Sequence, residues 1–107
     1  MILQVLVTKT AAGYEAHCLP MDIVTEAGSV EQVMNDIVDL ITAQYRYARD
    51  TNNLASAFVP APAEAWQQLA HARPTGSLRT VDLGGHSEHC DNLGQSLAVQ
   101  ELDVTPA

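Results

Sequence analysis

Two places in this chain put histidine beside cysteine, the side chains that make activated nucleophiles and transition-metal sites. One is His17-Cys18, inside GYEAHCLPMDIVTEAGSVEQV at 13–33. The other is GGHSEHCDN at 84–92, where His86, His89 and Cys90 stand at i, i+3 and i+4. One helical turn would bring those three onto one face, and three protein ligands plus a water make a catalytic zinc arrangement. Glu88 or Asp91 would then serve as base, and His71 is the one spare histidine near in sequence. Against that, the spacing matches no paired Cys-x-x-Cys pattern, and Gly84-Gly85 make the segment a solvated polar loop by default.

The elements that hold the first pair decide its chemistry. ILQVLVTK at 2–9 is rich in aliphatic and β-branched residues and reads as a strand covered on most of both faces. TAAG at 10–13 turns, and YEAHCL at 14–19 reads as the second strand of a hairpin. Successive side chains on a strand point to opposite faces, so Tyr14, Ala16 and Cys18 form the apolar side while Glu15 and His17 look outward. His17 and Cys18 are then directed apart and cannot form a thiolate–imidazolium pair. The pair is framework.

Pro20 breaks that strand, and DIVTEA gives a third before Gly28. Ser29 is placed as an N-cap, with Gln32 able to complete a capping box. Val30, Val33, Met34, Ile37, Val38, Ile41, Tyr45 and Ala48 then follow helical spacing, with polar residues opposite. This predicts a helix over 30 to about 50, stopped by DTNN. A shorter helix is expected after Pro62, with Trp66 as its core anchor and Pro74 and Gly76 ending it. SLRTVDL at 77–83 and SLAVQELDV at 96–104 both look strand-like, and either could return to the sheet.

Composition bounds the partners. The 107 residues, 47% of them apolar, suit one domain spanning 1–107 with a real core. Five cations against 13 acids leave a net charge of −8, and no Lys or Arg lies beyond Arg79. Such a surface repels nucleic acid and anionic membrane, and suits a basic partner instead. MILQVLVTK lacks the features of a signal peptide, and no stretch reaches the ~20 apolar residues that span a bilayer. A cytoplasmic chain with Cys18 and Cys90 reduced is expected. No glycine-rich phosphate loop or hydrolase motif occurs, so the chain is expected not to be an enzyme and to carry no cofactor.

The spacing of Gly13-Tyr14, Pro20, Val24-Thr25 and Gly28-Ser29-Val30-Glu31-Gln32 resembles the N-terminal module of the HicB-type antitoxin family. The likeness covers residues 2 to about 48. It implies a β-β-β-α module and a binder that silences a small basic, RNA-cleaving toxin. Glu15, Asp22 and Glu26 would be the residues facing that partner. Family antitoxins commonly add a DNA-binding segment with basic residues, which the second half of this chain does not offer.

The expected fold is α+β in the order β-β-β-α-α-β, with a 2–50 module followed by 51–107. A three- to four-stranded, mostly antiparallel sheet would carry the long helix across one face and the short helix beside it. An open face or edge of so small a sheet is expected to be closed by self-association, a homodimer first. The second reading is a metal-binding protein centred on His86, His89 and Cys90. A third is an orphan HicB-like domain without a toxin.

Overall fold

A computed structural model describes residues 2–82 and 96–104. The first strand, β1 (Ile2–Thr10), turns through Ala11-Ala12 into β2 (Gly13–Cys18), and the two pair antiparallel with Val5 opposite Cys18 and Thr10 opposite Gly13. A turn ending at Asp22, which takes a left-handed φ of 54°, leads into β3 (Ile23–Ala27) on the outer side of β2. Aspartate tolerates that conformation better than most residues because its short polar side chain bonds locally.

Helix α1 (Val30–Asp50) begins as its cap predicts: the Gln32 N–H donates to Ser29 Oγ at 3.1 Å. The box is not reciprocal, because the Gln32 amide donates to Asp36 Oδ1 at 2.9 Å instead. At the far end Asn52 takes a φ of 60°, its N–H donates to Arg49 O, and the Asn53 N–H reaches back to Ala48 O. This is the Schellman closure, with asparagine where glycine is usual. The stripe Val33, Met34, Ile37, Ile41, Tyr45 and Ala48 is buried against Leu3, Val5, Val7, Ala16, Cys18 and Met21. Full burial of each large apolar side chain contributes about 1.5–3 kcal/mol, which makes this face the main source of stability.

The chain then crosses to the other face of the sheet. A single 3-10 turn (Leu54–Ala57) stays with α1, its Ala57 carbonyl accepting from Gln44 Nε2 at 3.1 Å. Phe58 meets Tyr45 edge-on, 6.2 Å between centroids. The Ala61 N–H donates to Leu19 O at 2.9 Å, which fixes the crossing. Helix α2 (Ala63–Gln67) and a 3-10 turn (Gln68–His71) follow. Here Trp66 and Leu69 pack on a second, smaller cluster of Leu6, Leu19, Ala61 and Leu102. The short helix therefore does not lie beside α1, as expected, but on the opposite face. The alternation of β1 explains this, since Leu6 points away from Leu3, Val5 and Val7 and needs its own cover.

Strand β4 (Ala72–Asp82) starts earlier than its sequence suggests, with Pro74 and Gly76 inside the strand rather than at a helix end. Proline is tolerated because β4 is an edge strand, and the register slips between Pro74 and Leu78, where Gly76 takes a φ of 86°. Strand β5 (Ser96–Val104) inserts between β1 and β4. The sheet thus has five strands in the order β3-β2-β1-β5-β4, more than the three to four expected, and the element order gains a final strand. Among the described residues only the β1–β5 pairing is parallel, Leu3 opposite Val99 and Leu6 opposite Leu102. A parallel neighbour needs a long connection, and α1, α2 and β4 supply it.

Candidate partner-binding face

Pairing register places the site residues. Ala16, Cys18 and Ile23 belong to the cluster under α1, so Glu15, His17, Val24 and Glu26 point to the other side of the sheet. Glu15 lies directly opposite Glu26, and His17 opposite Val24. This part of the second face stays open to solvent, with Glu26 exposed and Val24 50% exposed. Neither Glu15 nor Glu26 has an ion pair or side-chain hydrogen bond among the described residues. Like charges directly opposite one another on a sheet are destabilising, so the pair costs stability unless a cation settles beside it. The nearest cation in sequence, Lys9, goes elsewhere, its Nζ lying 6.0 Å from the Tyr14 ring centroid.

Asp22 behaves differently from its two companions. Its Oδ1 lies 2.8 Å from His17 Nε2. A carboxylate only accepts, so the His17 Nε2 carries the proton and donates. Asp22 is bound into its own turn, leaving Glu15 and Glu26 as the acids free to meet a partner. The sequence grouped all three by charge. It could not reveal the direct Glu15–Glu26 opposition, which depends on the length of the turn between the strands.

The histidine–cysteine pair is separated as alternation requires. Cys18 is fully buried beneath α1. Burial pushes its thiol up to about 12, opposed in small part by a backbone hydrogen bond from Met21. It holds no thiolate near neutral pH. The other pair lies outside the described residues, as do His86, His89 and Cys90 together. His71 ends the 3-10 turn after α2, and among the described residues no three His, Cys, Asp or Glu side chains gather where a metal could sit.

A cavity of about 270 Å³ opens at the hairpin tip between Thr10, Ala12, Gly13, Glu26, Ala27 and Gly28. It is smaller than the ~300–1,000 Å³ usual for small-molecule sites. No helix among the described residues is long and apolar enough to cross a membrane.

Comparison with known proteins returns nothing. No family model, no curated relative and no solved structure matches the chain. The functional reading therefore rests on the residues themselves.

Proposed function

We propose that this chain is a non-enzymatic, cytoplasmic binding module of the HicB antitoxin type, which neutralises a small basic protein by covering it with an acidic surface. The observation that carries the reading is the opposition of Glu15 and Glu26 on an open sheet face, with no ion pair to either among the described residues. Such a pair is relieved when a partner's Lys or Arg settles between the carboxylates. The β-β-β-α order of residues 2–50 supports the same reading, since the resemblance implies it. The net charge of −8 would hasten encounter with a basic partner through long-range attraction. The working form would be a homodimer.

The test is co-purification from the source cell at low salt. A small basic protein should be recovered at about one to one, released by salt, and lost with the double substitution Glu15→Lys, Glu26→Lys. Expressed alone, that protein should arrest growth and degrade RNA, and this chain should relieve both. Recovery of the chain with no partner, or of a partner indifferent to the double substitution, would defeat the reading.

A further inference from the structure

The two edges of the sheet are treated differently. Strand β4 is blunted as exposed edges usually are, with Pro74 in the strand, a register slip before Leu78 and Gly76 at a φ of 86°. Strand β3, reading Ile-Val-Thr-Glu-Ala, has no proline, glycine, lysine or bulge. Among the described residues only β2 pairs with it, so alternate backbone N–H and C=O groups face outward along its free side.

The rows of side chains on the open face end at this same edge. One row runs Thr8, Glu15, Glu26, and its neighbour runs Leu6, His17, Val24. Among the described residues both rows stop at β3, one on a carboxylate without a partner and one on a half-exposed valine. A sixth strand would place its residues next in each row.

We infer that the free edge of β3 is a strand-addition site for an extended basic segment of a partner protein, reading cation-x-apolar. The cation would lie beside Glu26, with Glu15 next beyond it in the same row, and the apolar residue two positions away would cover Val24. Main-chain hydrogen bonds would supply much of the affinity and the two rows the selectivity. A second copy of this chain fits less well, because its own β3 would bring a further carboxylate to an edge that already carries Glu26, with Glu15 beside it on β2. This inference rests on the reading of the chain as a binder of a basic protein, and it specifies how that partner is held.

The test uses the isotope-labelled full chain and a synthetic peptide repeating Lys-Thr-Val-Thr, which sets a lysine and a valine two positions apart on one face, followed by NMR. The peptide should shift and protect amides of Ile23–Ala27 and give intermolecular contacts to β3, leaving β4 unchanged. Methylating the peptide's backbone nitrogens on one side keeps its charge but removes its ladder donors, and should weaken binding by about tenfold or more. Glu26→Lys, at an exposed position that leaves the fold intact, should weaken the lysine peptide by about tenfold and favour a glutamate–valine peptide. Binding indifferent to N-methylation, or contacts at β4, would overturn strand addition while leaving the acidic face as the partner's site. Amides of β3 already protected without peptide, in a concentration-dependent way, would mean that a second copy holds the edge, and would also overturn it. The peptide test and the co-purification test can each fail without the other.

Discussion

Gly13 lies directly against the backbone of Ala27: a Cβ on the glycine would come within 2.3 Å of the Ala27 carbonyl oxygen. The end of the hairpin and the end of β3 are thereby held in contact by the absence of a side chain. Because the obstacle is backbone and the φ of 153° is one that other residues rarely adopt, the contact cannot be relieved by a rotamer change. Gly13→Ala should cost about 2 kcal/mol or more in chemical denaturation. Gly28→Ala, where nothing lies within 4 Å, should stay within about 0.5 kcal/mol and serves as control. Equal effects at both positions would refute the account.

Cys18 should resist alkylation in the folded protein at pH 8 and react on unfolding. Burial pushes its thiol up to about 12 from an ordinary value of 9.0, so the fold favours the neutral form. That contribution is complete below about pH 9 and is lost as pH rises from 9 towards 12. Over this window stability should fall by up to about 1.4 kcal/mol per pH unit more in the parent than in Cys18→Ala. Parallel pH profiles would show that the thiol is not desolvated.

The His17–Asp22 hydrogen bond and the left-handed backbone of Asp22 can be separated by substitution. Asp22→Gly keeps the backbone and loses the acceptor, whereas Asp22→Ala loses both. Thermal unfolding should place the alanine variant lower by about 1–2 kcal/mol in total, with glycine between it and the parent. Alanine equal to glycine would mean that the backbone at this turn carries no strain.

Trp66 is the only tryptophan, and its Nε1–H donates to Ala61 O at 3.1 Å. Trp66→Phe should cost about 1–2 kcal/mol through the orphaned carbonyl and the lost area. The cluster beneath α2 is smaller than that beneath α1. Amides of residues 63–71 should therefore exchange at lower opening free energies than those of residues 33–48. The reverse order would contradict the packing described.

Local rules made some of these elements legible and left others hidden. The helix from Val30 to Asp50 announces itself because its cap, its stripe and its asparagine stop all lie within its own segment. Cys18 is legible because alternation alone sends it inward. Pro74 misleads, since a proline reads as a stop, and only the pairing of β4 with a strand some 30 residues later makes it an edge residue. The stripe of Trp66 and Leu69 says that α2 packs on something, but which side of the sheet depends on where residues 58–61 cross. At the candidate site, acidity was legible in the residue types. The opposition of Glu15 and Glu26 and the removal of Asp22 were not, because both are properties of turns that join distant registers.

The middle of the sheet is a seam between the first strand and the last described one, Ile2 opposite Ala98. Contacts spanning nearly the whole chain carry a heavy loop-closure cost and raise contact order, which slows folding. During synthesis the hairpin, β3 and α1 emerge and can dock early, while β1 waits with its inner edge bare until β5 has left the ribosome. A nascent chain thus has two open edges until β5 is available, and the one on β1 is covered only when β5 pairs with it.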